Sequence, residues 1–326
     1  MPFTFSHPLF AVPLRRIAPK WLSVTGLVLG SMAPDMEYFM AMEPYRSIGH
    51  SLSGFLLLGL PLCIAIAYAF HMIMKPILPL FMPPQSGINH FVQHILNGQQ
   101  SWQLRTAREW MVFVASLFIG FLTHLFMDSW THTSGVFVKH FPLLNNKIAG
   151  EGIYHWLQYM TSVVGLMIPS ALLLYRYWRW RSSVDRSSMK SVGRDRERFL
   201  LWTVCIAVAT IMLAVKMVKS YGQIGLGDWI VAPLSAAMFG WFAASLLYAA
   251  IRRQRVGRVV ILLVVTLVIM ASYDAIQLQL LTWMHDLHRT ITLTEFQQLN
   301  QLIWIVFCSA WAAAVIVSCR FVSKKG

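Results

Sequence analysis

The sequence predicts an all-α protein, a polytopic membrane helix bundle of about seven transmembrane helices plus a short half-inserted segment near the N-terminus. Three observations lead there. Of the 326 residues, 57% are hydrophobic and only 12% charged, roughly half the charged share of about 25% in soluble domains, and the mean hydropathy is +0.57. Seven apolar runs reach the roughly 17–25 residues that a helix needs to cross a bilayer. The basic residues collect in alternate connections between those runs. Together these exclude a disordered chain, a coiled coil and an ordinary water-soluble enzyme.

The first element is WLSVTGLVLGSMAP at 21–34, which is 14 residues long before Asp35. That suits a half-inserted or buried helix better than a span, and Pro13, Pro19, Gly26, Gly30 and Pro34 point the same way. The spans follow at roughly 53–74, 110–128, 156–176, 199–219, 229–251, 258–281 and 301–320. Two of them are weaker: the second carries His124 and Asp128 at its end, and the sixth has Asp274 followed by two glutamines. Trp and Tyr at span ends, among them Trp110, Trp130, Trp156 and Trp229, fit interfacial belts. The opening MPFTFSHPLFAVPLRR lacks the basic start, apolar core and small-residue cleavage site of a secretory signal, so no processing is expected.

Charge sets the orientation. Residues 176–198 hold eight Lys or Arg, 252–258 hold four, and the tail from Arg320 holds three, whereas 220–228 has none and 282–300 only Arg289. Basic connections face the cytoplasm, so the C-terminus is expected inside, in a multi-pass arrangement in the cell (inner) membrane. Counting back, loop 76–109 is cytoplasmic and loop 129–155 extracytoplasmic. Lys216 and Lys219 run against this at the outer end of a span, where both can snorkel. The same location of charge explains the net +14 without nucleic acid as a partner. The basic stretch 176–198 divides the membrane domain into a front half, 1–175, rich in His and Asp, and a four-span back half, 199–326.

Cys63, Cys205, Cys308 and Cys319 each lie in an apolar run without C-x-x-C spacing, as packing residues do. No P-loop, G-x-G-x-x-G, G-x-S-x-G or H-E-x-x-H occurs, so nucleotide binding, serine esterase and zincin chemistry find no support. The chemistry-bearing residues are His7, Asp35, His50, His124, Asp128, His132, Glu151 and His155. His124 and Asp128 are four apart and so share one helix face, an arrangement that can chelate a divalent cation. Ionisable groups near membrane depth are costly unless paired or bound. His50 precedes a span that runs inward and His124 ends one that runs outward, so both meet at the extracytoplasmic face. His132, Glu151 and His155 share that face, and His7 and Asp35 join it if the N-terminal segment does not cross. The plainer reading of the cluster is an interhelical hydrogen-bond network. His71, His90, His94, His140, His285 and His288 read as packing or solvated residues.

Four motifs stand out: M-P-F-T-x-S-H-P around His7, G-S-x-A-P-D-x-E-Y-F around Asp35, G-H-S at His50, and H-x-x-x-D-S-x-T-H from His124 to His132. Together they resemble a bacterial membrane family catalogued as domain of unknown function 4184, over roughly residues 1–165 by motif and the remainder by hydropathy. That family is similar in layout to inner-membrane metal-dependent hydrolases related to YdjM, which implies hydrolase chemistry. More distantly the order resembles the zinc-dependent phospholipase C and nuclease fold, whose further His-x-x-x-Glu is absent here: Tyr159 stands four residues after His155, and Glu151 precedes it.

These readings combine into one expectation. A divalent metal, Zn2+ before manganese or iron, is held by His50, His124 and Asp128, with Asp35 as ligand or bridge and His7 completing the set. A water activated by the metal attacks a phosphoester or ester of a membrane lipid or lipid-linked substrate, with His132 as the catalytic acid for the leaving group. Ser51, Ser129 and Thr131 are supporting donors, and Glu151 and His155 a second shell or second metal site. The alternative is a transporter or assembly factor in which the cluster is structural or a transit site and Asp274 is the working group.

Overall fold

The computed structural model describes residues 4–45, 47–98, 102–184, 194–219, 225–286 and 292–323. Seven helices are long and apolar enough to cross a membrane, and the chain is an all-α, multi-pass membrane protein. Short helices α1 (Pro8–Ala11), α2 (Val24–Met32) and α3 (Met36–Ala41) come first. Then α4 (Leu52–Gly54), α5 (Leu60–Tyr68) and α6 (Lys75–Phe81) run as one 30-residue helix through π-helical turns at Phe55–Gly59 and Ala69–Met74. Each π turn ends two residues before a proline, Pro61 and Pro76, whose missing N–H frees a carbonyl one turn back. The helix therefore continues past its prolines and extends to Phe81 rather than to 74.

After α7 (Ile88–Asn97) and α8 (Ala107–Thr131) comes a connector made of α9 (Val136–His140) and the antiparallel pair β1 (Lys147–Ile148) and β2 (Glu151–Gly152). The remaining helices are α10 (Ile153–Ser183), α11 (Asp195–Lys219), α12 (Leu226–Arg252), α13 (Val256–Asp286) and α14 (Leu293–Ser323). Helix α7 lies inside the stretch 76–109 that the sequence reads as a loop. It buries Phe91 against Tyr177 and Trp180 of α10, with ring centroids 5.4 Å away in each case.

The chain divides into two compact units. One comprises Met1–Met36, Gly49–Phe55 and Gln85–Lys190, and the other Glu37–Ile48, Leu56–Pro84 and Ser191–Gly326.

In the first unit the N-terminal segment is a re-entrant hairpin laid against α8. His7 starts it beside His124, their rings stacked at 3.9 Å. The chain then descends to Trp21, whose ring lies 5.7 Å below the guanidinium of Arg108. Helix α2 climbs back parallel to α8: the Ser23 amide donates to Ser116 Oγ at 2.8 Å, and the Ser31 carbonyl lies 2.8 Å from His124 Nδ1. From Arg108 to His124 is about 24 Å at 1.5 Å per residue, and over that rise the return arm brings Asp35 back to the level of His7 and Thr4.

Small residues make that approach possible. A Cβ on Gly26 would fall 2.6 Å from Ser116 Cβ, and one on Gly120 would fall 2.7 Å from the Ser31 nitrogen. Gly26 and Gly30, which read as helix-weakening, are instead the contact points of a small-xxx-small stripe. The cations Arg15, Arg16 and Lys20 at the hairpin tip share the lower end with Arg105 and Arg108 at the start of α8 and with Arg176, Arg179 and Arg181 at the end of α10.

In the second unit the four long helices α11–α14 bury Cys205, Cys308 and Cys319, and the first span buries Cys63; all four are free thiols. Glu37 is buried and accepts from the Ser47 amide at 3.1 Å and the Ser47 hydroxyl at 2.5 Å. Lys216 is paired with Glu43 and donates to the Ala41 carbonyl, which accounts for a cation at that span end. Part of the basic stretch, 185–193, lies outside the described residues, as do the side chains of Asp274 and His285 and the whole of His288.

Candidate metal centre

Helix α8 supplies the anchor of the site. Thr106 caps its start, accepting from the Glu109 amide at 3.2 Å while the Glu109 carboxylate accepts from the Thr106 amide at 2.8 Å, a reciprocal box that fixes where the helix begins. One turn apart near its other end, His124 Nε2 and Asp128 Oδ2 lie 3.3 Å from each other. His124 is buried, and its second nitrogen, Nδ1, faces the Ser31 carbonyl at 2.8 Å. That oxygen belongs to the last turn of α2, whose carbonyls are open to side-chain donors. A carbonyl can only accept, so Nδ1 carries the proton and Nε2 presents a lone pair to the site.

The hairpin delivers two more groups. Asp35 ends the 3-10 turn Ala33–Asp35 that follows α2. Its Oδ2 accepts from the Thr4 hydroxyl at 2.7 Å, which leaves Oδ1 facing His50 Nε2 at 3.5 Å and His124 Nε2 at 3.9 Å. His7 precedes α1, with its Nε2 3.9 Å from Asp128 Oδ1. Burial first, and the neighbouring His124 ring second, push its imidazole down to about 3 against the pull of Asp128, so His7 is neutral at pH 7. Gly165 on α10 makes room, since a Cβ there would fall 2.7 Å from Ser6 Cα.

His50 comes from the turn before α4, where Ser51 caps the helix by accepting from the Gly54 amide at 3.0 Å. Its Nε2 lies 3.5 Å from Asp128 Oδ2. At 23% exposure it is the most open member of the group, against 1% for His124.

Five residues that span 122 positions of sequence, His7, Asp35, His50, His124 and Asp128, thus converge. The donor atoms of His7, Asp35 and His124 lie within 4.8 Å of one another, as do those of His50, His124 and Asp128. Their nearest separations, 3.3–3.9 Å, lie at and beyond the long limit of N–H···O hydrogen bonds. They match donors around a common cation: bonds of about 2.0–2.1 Å put tetrahedral neighbours about 3.3–3.4 Å apart and octahedral opposites about 4.2 Å apart. Both nitrogens of His7, Nε2 of His50 and His124, and Oδ1 of Asp128 are buried with no hydrogen-bond partner. Such orphans cost free energy unless something occupies the space between them. The donor chemistry, neutral imidazoles and carboxylates, fits zinc first.

The other sequence-named residues sort differently. Helix α8 ends at Thr131, so His132 is its C-cap in extended conformation rather than a further helical turn. Its Nδ1 still reaches back to within 3.5 Å of Asp128 Oδ1 and 3.2 Å of the Asp128 carbonyl. Thr131 touches that nitrogen at 3.2 Å, whereas Ser129 donates to its own helix, at the Phe126 carbonyl. Glu151 and His155 bond to each other at 2.7 Å, with the imidazole stacked on Tyr159, and join neither triad. His140 closes on its own helix at the Val136 carbonyl. Sequence reasoning missed Thr4, whose hydroxyl three residues before His7 orients Asp35. It also missed the Ser31 carbonyl, a backbone group with no signature in the side-chain pattern.

Among known proteins, the model of the family described as Domain of unknown function (DUF4184) matches residues 1–272, that is, 272 of 326. No curated protein and no solved structure matches the chain.

Proposed function

The chain belongs to the DUF4184 family, and from that premise we propose that the pocket is a divalent-metal centre, most readily for Zn2+, serving hydrolysis of a phosphoester or ester in a lipid-like substrate. The observation that carries the reading is the set of buried donor atoms without partners, spaced like ligands.

His50, His124, Asp128, Asp35 and His7 would hold the ion. A bound divalent cation supplies Lewis acidity and lowers the pKa of a bound water from 15.7 to about 7. The protein supplies the rest. The Ser31 carbonyl fixes the His124 tautomer, and Thr4 orients Asp35. His132 Nδ1 faces the Asp128 carbonyl and carboxylate, so it holds the proton of the neutral ring, and Nε2 would first take a proton, from the attacking water, and then give it to the leaving group. The hairpin and α8 exclude water from the buried side, and the substrate enters past His50 and His132, the more exposed members.

Depth and charge favour a lipid. The centre lies toward one end of a membrane-spanning helix, and Arg105 and Arg108 stand at the other end of that helix with Arg15, Arg16 and Lys20 of the hairpin tip, against only Lys139 and Lys147 on the centre's side. Basic ends face the cytoplasm, so the centre opens to the extracytoplasmic side of the inner membrane, with the C-terminus cytoplasmic. An ester at headgroup level is the group within reach.

Zinc-loaded protein in vesicles of phospholipid with added isoprenoid phosphate provides the test, with released phosphate and headgroup as the readout. Turnover that falls about 10²–10⁴-fold in His132→Gln, with unchanged metal content, supports the reading. Absence of turnover on both lipid classes overturns it.

A further inference from the structure

We propose that the connector between α8 and α10, residues 132–152, is an interfacial platform embedded in the headgroup layer of the bilayer beside the metal centre, rather than a loop in water. The partner is the phospholipid surface itself.

Continuity is the first argument. Phe126 on α8 is 55% exposed on a membrane-spanning helix, so it faces lipid. From there an aromatic ladder runs past the end of the helix without a break. Phe126 meets Phe137 at 5.8 Å, Phe137 stacks on Trp130 at 4.2 Å, and Phe141 lies 5.9 Å from Trp130 with the rings 7° from parallel. The lipid-facing surface of the span thus extends onto the connector.

Composition is the second. Phe141, Leu143 and Ile148 are 49%, 66% and 56% exposed and lie outside every span. In water they would form an apolar patch that a monomeric surface rarely tolerates. Lys139, His140 and Lys147, all exposed, alternate with them, the pattern of a segment that lies in the interface with its cations reaching phosphate.

The third is how the backbone is satisfied. Where water is scarce a peptide group gains from an internal partner, and this short connector supplies several. Lys147 pairs with Gly152 and Ile148 with Glu151. The Ile153 amide donates to the Asn146 carbonyl at 3.0 Å, the Asn145 side chain to the Val138 carbonyl at 2.8 Å, and the Trp156 indole to the Ile148 carbonyl at 2.8 Å.

Depth measurement by spin labelling tests the proposal. The four native cysteines are buried, so nitroxides attached to full-length Leu143→Cys and Ile148→Cys report these sites, with unsubstituted protein as background and lipid-facing Leu122→Cys as reference. In proteoliposomes the platform predicts that oxygen relaxes both labels more than a water-soluble nickel chelate does, as at Leu122→Cys. If the chelate relaxes both labels as freely as nitroxide in buffer, the connector is a solvated loop and the proposal is wrong. None of these residues belongs to the metal centre, so that outcome leaves the hydrolase reading standing.

Discussion

His124 Nδ1 lies 2.8 Å from the carbonyl oxygen of Ser31, 93 residues earlier in the chain. This contact ties the return arm of the hairpin to the anchor helix. It also decides which nitrogen of His124 faces Asp35, His50 and Asp128. Without it either tautomer would be open to the ring, and one of them would point an N–H at the cation. On the proposed function, the geometry of a helix end would therefore set which His124 nitrogen a cation meets.

The Thr4–Asp35 hydrogen bond should matter in the same way. Thr4→Val removes the donor that holds Oδ2, and groups in that position typically cost 10–100-fold in metal affinity. Zinc competition against a chromophoric chelator measures the loss, and Thr4→Ser should recover most of it. An affinity in Thr4→Val within twofold of wild type would mean that Asp35 needs no such support.

Close packing of the hairpin predicts a stability effect coupled to metal content. A Cβ at Gly30 would strike the Leu117 backbone, which cannot move aside as a side chain end can. Gly30→Val should cost about 1–3 kcal/mol or more, read as a lower melting temperature in detergent, and should lower bound zinc because Ser31 and Asp35 shift. Gly257→Ala, where a Cβ meets nothing within 4 Å, is the neutral control.

Acid should release the metal. The ligands must be neutral imidazoles and ionised carboxylates, so protons compete with the cation and affinity falls as pH falls. The decline should be measurable between about pH 7.5 and 5.5. His7, held neutral down to about 3, does not contribute to it. Isothermal titration across that range would show the slope, and a flat profile would argue against histidine ligation.

Glu151 and His155 should be dispensable for metal. They satisfy each other at 2.7 Å, so Glu151→Gln and His155→Gln are expected to retain wild-type zinc content by elemental analysis. Loss of an ion in either variant would restore them to the centre.

Much of this arrangement was legible in the sequence. The seven spans follow from apolar runs that nothing but a bilayer explains, and His124 with Asp128 follows from helical spacing. Their convergence with His50 follows from span direction alone, before any contact is known. The rest depends on packing that periodicity does not encode. Gly26 and Gly30 read as breakers because their neighbours on α8 are ninety positions away in sequence. Helix α7 was passed over because a ten-residue amphipathic stretch is too short to separate from a loop by hydropathy. His132 stands four residues after Asp128, a helical spacing, yet the helix stops first and the ring turns back. Glu151 and His155 lie near the same span end, but their own spacing lets them pair with each other.

Elemental analysis of the purified protein tests the central claim most directly. Wild type should carry zinc or another divalent cation in at least stoichiometric amount, and His124→Ala and Asp128→Ala should both lose it while keeping their helical content. Equal metal content in all three proteins would contradict the account and leave the cluster a polar contact between helices.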